Sequence, residues 1–255
     1  MNIFKQREKE YALERLKFLK SRYSEASELL DFYQHILEYQ REVYESLDGK
    51  EPNWRRGMKW FYRLLDMCIK YGTPQISERA VDMKQMERDR VGNMIDKFLK
   101  EKKAEDIDRF LFLSFLNPFY ERIAESMDID RENWLKTKCP VCGFRPHLSY
   151  IADREEVEGG RFLICVLCGT DWLYNRNRCV NCGNEDDNSM DYYYSEENRA
   201  VQLQCCHECG HYMKLIDMRI DGFAVPNVDD IATLALDLWA RERGFVRFER
   251  NLFGL

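Results

Sequence analysis

The sequence predicts an α+β fold: a helical first half, two small four-cysteine modules built on short strands, and a closing helix. Three observations carry that expectation. Apolar residues recur at three- and four-residue spacing as far as about residue 135, the chain turns to short β-rich stretches near Lys138, and four copies of Cys-x-x-Cys-Gly follow. The expected boundaries are 1–135 for an all-helical domain, 139–176 and 177–222 for the two modules, and 228–255 for the C-terminal helix and tail.

In the first half, Leu29, Tyr33, Ile36, Gln40, Val43 and Leu47 lie on one face of an amphipathic helix, with Gln40 as the polar interruption. Asp48-Gly49-Lys50-Glu51-Pro52-Asn53 stops it. A second helix is expected from Trp54 to Tyr71, ended by Gly72-Thr73-Pro74, and another from about Ser77 to Lys100. A further helix from about Glu105 is expected to break near Asn117-Pro118, because proline has no N–H to donate within a helix.

In the second half, Arg161-Phe162-Leu163-Ile164 is expected to run as a strand into the second Cys-x-x-Cys, and Ala200 to Gln204 into the fourth. Tyr192-Tyr193-Tyr194 is another strand candidate. The closing helix begins at Asp229-Asp230, read as an N-cap that complements the helix dipole. Ile231, Leu234 and Leu238 supply its buried face, and Gly244 ends it.

The chemistry lies in the cysteines. Cys139/Cys142, Cys165/Cys168, Cys179/Cys182 and Cys206/Cys209 each enclose two residues and are each followed by Gly. That spacing turns two thiolates toward one tetrahedral ion, and the Gly supplies the positive φ of the tight turn. Cys139 recurs 40 residues later as Cys179, and Cys165 recurs 41 residues later as Cys206. The repeat pairs the first motif with the second and the third with the fourth. The expectation is two rubredoxin-like or zinc-ribbon modules, each with one ion on four sulfurs and each folding with its ion. Iron and zinc both accept such a site. Thioredoxin-like redox chemistry would need a βαβ setting, and a catalytic zinc an open coordination position.

Other residues have plainer readings beside their functional ones. Cys205 is read as a packed strand residue aligned with Ile164, the alternative being a free thiol or substitute ligand beside Cys206. Cys68 is read as a core cysteine, and His207 and His211 as rim residues of a site already complete with four sulfurs. Arg161, Arg176 and Arg178 surround the first module, either as solvated arginines or as a grip on an anionic partner. Arg161, Trp172, Arg176, Tyr192, Tyr193 and Tyr194 are the partner-binding candidates, since arginine and aromatic side chains dominate interfaces.

Composition narrows the classes further. The net charge of −6 argues against a general nucleic-acid binder, and the charged start lacks the apolar segment of a secretory signal. No apolar run approaches the length of a membrane span, so a cytoplasmic protein is expected. There is no phosphate-cradling glycine loop, nucleophile elbow or convincing acid–base pair, so an enzyme is not expected.

The motif set resembles a known family. Cys139-Pro140-Val141-Cys142-Gly143, Arg161-Phe162-Leu163 before Cys165-x-x-Cys168-Gly169-Thr170-Asp171-Trp172, and Arg176-x-x-Cys179-x-x-Cys182 resemble the formate dehydrogenase accessory protein FdhE. Asp229 to Asp237, Gly244-Phe245-x-Arg247 and Asn251-Leu252-Phe253-Gly254 are similar to the same family. The resemblance implies a cytoplasmic maturation factor, or chaperone, needed for active formate dehydrogenase. It implies engagement of the catalytic subunit or its molybdenum cofactor, no nucleic-acid or membrane partner, and two rubredoxin-like sites with iron as the native ion and zinc as the alternative. A rubredoxin-like electron-transfer protein and a zinc-ribbon nucleic-acid binder are the rival readings.

Overall fold

The computed structural model describes residues 3–47, 49–131, 133–154 and 157–254. The chain packs as two compact units: residues 31–127 with 252–254, and the residues up to 30 with 128–251. In chain order the helices of the first half are α1 (Ile3–Arg22), α2 (Ser27–Ser46), α3 (Met58–Tyr71), α4 (Pro74–Gln85), α5 (Arg88–Glu101) and α6 (Asp106–Ser126). The first half is helical as predicted.

In the unit of residues 31–127, α6 is the centre. Its apolar residues are not confined to one stripe, which is the pattern of a helix surrounded by others. Phe112 meets Phe98 of α5 at 5.6 Å between ring centroids, and Phe115 meets Phe61 of α3 at 5.3 Å. Gly57 precedes α3 because a Cβ there would fall 2.4 Å from the Phe119 ring. Phe253 of the tail stacks on Phe110 at 5.4 Å in the same unit.

Three helix expectations are corrected. The second helix starts at Met58 rather than Trp54. The long helix expected over 77–100 is two, starting at Pro74 and interrupted at Met86-Glu87, whose ψ values of 150° and 138° are extended. Neither residue is a Gly or Pro, so no local signal marked the break. The predicted break at Pro118 does not occur, since α6 runs through it to Ser126. The carbonyl of Ser114, which an N–H at position 118 would have bonded, accepts instead from Gln40 Nε2 at 3.2 Å. The one polar residue on the α2 stripe therefore satisfies the acceptor that the proline leaves open.

The other unit is organised by a sheet. Its strands are β1 (Pro146–Arg154), β2 (Val157–Cys165), β3 (Asp171–Tyr174), β4 (Met190–Ser195), β5 (Asn198–Cys206), β6 (His211–Asp217) and β7 (Val246–Arg247), with α7 (Pro226–Ala232) and α8 (Leu234–Glu242) between the last two. The spatial order is β3-β2-β1-β6-β5-β4, with β7 pairing the start of β6. Each module supplies three antiparallel strands, and the modules join where β1 pairs with β6 in parallel, Leu148 opposite Lys214 to Ile151 opposite Asp217. The tandem modules thus share one sheet. One face carries Leu148, Tyr150, Phe162, Ile164, Val201 and Ile216 packed with Ala224, and continues as Leu203, Cys205 and Tyr212 against Ala240.

The closing helix is also corrected. It is broken at Thr233, whose Oγ1 donates to the Asp229 carbonyl at 2.7 Å, and it begins at Pro226. Asp229 and Asp230 are not its N-cap; both are buried ion-pair partners. Arg15 of α1 donates to Asp229 through Nη2 at 2.6 Å and Nε at 3.0 Å. Arg247 Nη2 reaches Asp230 at 2.7 Å and Nη1 reaches Asp237 at 3.0 Å. Lys214 Nζ lies 2.6 Å from Asp237 and 3.2 Å from Asp230, and Tyr212 donates to Asp237 at 2.7 Å. Two acids and two bases, all inside, fasten α7, α8 and β7 onto β6.

Candidate metal centres

Each Cys-x-x-Cys turn is closed by its own backbone. In the first, Gly143 N donates to Cys139 O at 3.1 Å and Cys139 N to Phe144 O at 2.8 Å. The same pair of bonds recurs at Cys165 with Gly169 and Thr170, and at Cys179 with Gly183 and Asn184. Gly210 N donates to Cys206 O at 2.9 Å in the fourth. Gly143, Gly169, Gly183 and Gly210 have φ of 70°, 61°, 78° and 67°, the left-handed region that favours glycine. β2 and β5 end at Cys165 and Cys206, so the strands deliver the second half of each site.

The turns bring eight sulfurs into two groups. Cys139, Cys142, Cys165 and Cys168 form one and Cys179, Cys182, Cys206 and Cys209 the other, each with its sulfurs within 4.8 Å of one another. The sulfur–sulfur separations are 3.5 Å for Cys139–Cys168, 3.3 Å for Cys142–Cys165, and 3.7 Å for both Cys179–Cys209 and Cys182–Cys206. A metal–sulfur bond of about 2.3 Å in a regular tetrahedron sets sulfurs about 3.8 Å apart, whereas a disulfide needs about 2.05 Å. The donor set fits two tetrahedral thiolate-bound ions. Zinc and iron both satisfy it.

Charge makes the same point. Hydrogen bonds from Cys142, Cys165 and Cys168 lower the Cys139 thiol below its ordinary range. The bond to Cys139 raises Cys142, and burial raises Cys165. Four adjacent sulfurs cannot all be anions by themselves; a cation is what lets all four lose their protons. Around the sulfurs, Val141 N donates to Cys139 Sγ at 3.4 Å, and Thr170 Oγ1 lies 3.1 Å from Cys168 Sγ.

The centres differ in cover. In the first, three cysteines are buried and Cys142 is half-buried; in the second, Cys182 is exposed and Cys209 half-buried. His207, on the rim, lies 2.8 Å from Asp191, and His211 Nδ1 lies 2.8 Å from the Cys209 carbonyl. Cys205 packs away from the sulfurs with Leu203, Tyr212 and Ala240, its thiol pushed up to about 12 by burial. Cys68 is buried in α3.

The partner-binding candidates divide. Arg176, Tyr192 and Tyr194 are exposed and Tyr193 is half-buried. Arg161 and Trp172 are buried, which corrects the expectation that they face a partner. Trp172 donates Nε1 to the Lys136 carbonyl at 2.9 Å, and Arg161 serves the interior of the sheet unit. Sequence reasoning missed β1 and the charge quartet of Lys214, Asp230, Asp237 and Arg247. The alternation in His147-Leu148-Ser149-Tyr150 was a usable signal for β1; nothing local marks the quartet.

Comparison with known proteins follows the same outline. Residues 138–176 match the family model described as FdhE, central domain, and residues 177–253 that described as FdhE, C-terminal domain. An FdhE homolog from Aquifex aeolicus (strain VF5) is 41% identical over 277 residues, covering 100% of this chain and 98% of that protein. An FdhE homolog from Haemophilus ducreyi is 28% identical over 218 residues, covering 80% of this chain and 70% of that one. The crystal structure of the FdhE protein from Pseudomonas aeruginosa matches the fold with a TM-score of 0.74 at 21% identity, over 97% of this chain and 96% of that one.

Proposed function

Since the chain belongs to the FdhE family, we propose that it binds the catalytic subunit of formate dehydrogenase before that subunit is complete, as a maturation factor rather than a catalyst. The observation that carries the reading is the full-length relationship, together with two sulfur sites that offer a metal four ligands each. A four-thiolate tetrahedron has no open position for a substrate, so the ions hold the sheet unit together and the surface does the binding. Iron is the native ion in this reading. No described helix is long and apolar enough to cross a membrane.

The proposed client surface is the sheet edge near Arg176 and Tyr192. Gln204 Nε2 donates both to the Arg176 carbonyl at 3.3 Å and to Tyr192 Oη at 2.9 Å, which sets these two residues side by side. Tyr194 follows on the same face of β4 and is exposed. A maturation factor must release its product, so it needs a higher affinity for the unfinished client. The test titrates the purified chain against the catalytic subunit in cofactor-free and finished forms. Tighter binding to the cofactor-free form is expected. Equal affinity for both, no binding to either, or formate oxidation by the chain alone overturns the reading.

A second reading, electron transfer, draws on the exposed Cys182. It requires a reversible metal-centred couple in the iron-loaded chain and is discarded if voltammetry finds none.

A further inference from the structure

We infer that Arg161 is the buried counter-charge and positioning residue of the second four-cysteine centre, supplied to it by the first module. Arg161 belongs to β2, and the groups it hydrogen-bonds among the described residues are electrically neutral. Its Nε lies 3.3 Å from Ser149 Oγ and its Nη2 3.5 Å from Met213 Sδ. Its Nη1 donates to three carbonyls of the segment joining the modules: Asn175 at 3.5 Å, Arg176 at 3.4 Å and Arg178 at 3.1 Å. No carboxylate is among its partners in the described residues. The contrast with Arg15 and Arg247 is sharp, because each of those meets a carboxylate inside the same unit.

A buried cation without an anion is costly, because burial removes the water that solvates it. Burial pulls the Arg161 guanidinium down to about 10, with Tyr192, Tyr174 and Cys179 acting against that fall. Cys179 is the next residue after Arg178, whose carbonyl is the nearest of the three. Four thiolates around a divalent ion retain two negative charges, and Cys179 is one of the four. The second centre is therefore the anion that Arg161 lacks. The same side chain fixes the backbone entering Cys179, so charge and position are supplied by one group.

This inference rests on the second cluster holding a metal ion, and the experiment separates the two claims. The full-length chain is loaded with zinc, and the affinity of each centre is measured by chelator competition, with ion counts from native mass spectrometry. A Cys182→Ser chain identifies the second centre's signal. Arg161→Met has similar length but neither charge nor donors; it is expected to weaken zinc binding at the second centre about 10- to 100-fold and leave the first unchanged. Arg161→Lys keeps the charge without the fork and is expected to fall between the parent and Arg161→Met. Unchanged affinity at the second centre, or a loss shared equally by both centres, overturns the assignment. If Arg161→Met does not fold, Arg161→Lys decides by the same criterion, selective loss at the second centre against none or equal loss. A parent chain that takes up only one zinc overturns the metal reading itself, and Arg161's role with it.

Discussion

Replacing Asp230 by Asn tests how far the buried charge quartet holds the sheet unit together. Asp230 is 1% exposed and stands between Arg247 Nη2 at 2.7 Å and Lys214 Nζ at 3.2 Å. Its other oxygen accepts from Asn251 Nδ2 at 3.0 Å. Burial works to raise its carboxyl, but Arg247 and Lys214 outweigh it and hold the group well below the usual carboxylate range. The substitution leaves two buried cations facing Asp237 alone. Breaking a buried pair in this way costs about 3–5 kcal/mol, or roughly 6–20 °C in Tm for a chain of this size. The measurement is denaturation of the metal-loaded chain at pH 7. A lowered carboxylate contributes stability that is present above its unfolded value, near pH 4, and lost as pH falls through the folded one. The gap between parent and Asp230→Asn should therefore narrow below about pH 4. A double-mutant cycle adds a second check. Lys214→Met with Asp237→Asn removes one charge of each sign and should cost less than the two single changes added together. A loss below about 1 kcal/mol for Asp230→Asn, or strict additivity in the cycle, would refute the reasoning.

Further tests address the metal and the helices. Elemental analysis should find two ions per chain, and Cys182→Ser should lose one of them while the Cys139/Cys142/Cys165/Cys168 centre keeps its own; loss of both, or of neither, contradicts the grouping of the sulfurs. Gly169→Ala places a Cβ at φ 61° with nothing within 4 Å, so its cost is backbone strain alone, about 1–2 kcal/mol, seen as a lower chelator midpoint for the first centre. Gln40→Leu should cost about 1–3 kcal/mol by leaving the Ser114 carbonyl unsatisfied. Pro118→Ala provides the missing N–H and should make Gln40→Leu cheaper in denaturant melts.

Much of the site was legible because its signals are local. Cys-x-x-Cys-Gly specifies a turn within five residues, and the repeat spacing told which turns meet. The helical half was legible as a class, yet Pro118 and Met86 show the limit. Pro118 is tolerated because Gln40, 78 residues earlier, supplies the missing donor. Met86 ends a helix without any residue that forces an end. Arg161 and Trp172 looked like surface groups because arginine and tryptophan often are. Their partners, the carbonyls at 175–178 and at Lys136, are backbone atoms that sequence does not distinguish. The Asp229-Asp230 pair read as a cap because acids before an apolar run usually cap; Arg15 lies 214 residues away and Arg247 seventeen.

The join between β1 and β6 brings together unlike edges, the first strand of one module and the third of the other. A like-to-like join would be self-limiting, because it consumes both copies of the edge it uses. A head-to-tail join is not, since it leaves one edge of each kind at the two ends, the geometry of rings and filaments. The chain must therefore terminate its own pattern. At the β3 end it does so with backbone: Leu173 N donates to the Arg131 carbonyl at 3.1 Å, so the approach to the modules occupies a position the next strand would take. At the β4 end no backbone partner lies outside Tyr192 to Tyr194 among the described residues. Among the described residues the repeated module thus has one end stopped by backbone and the other open, and the open end is the tyrosine-bearing edge.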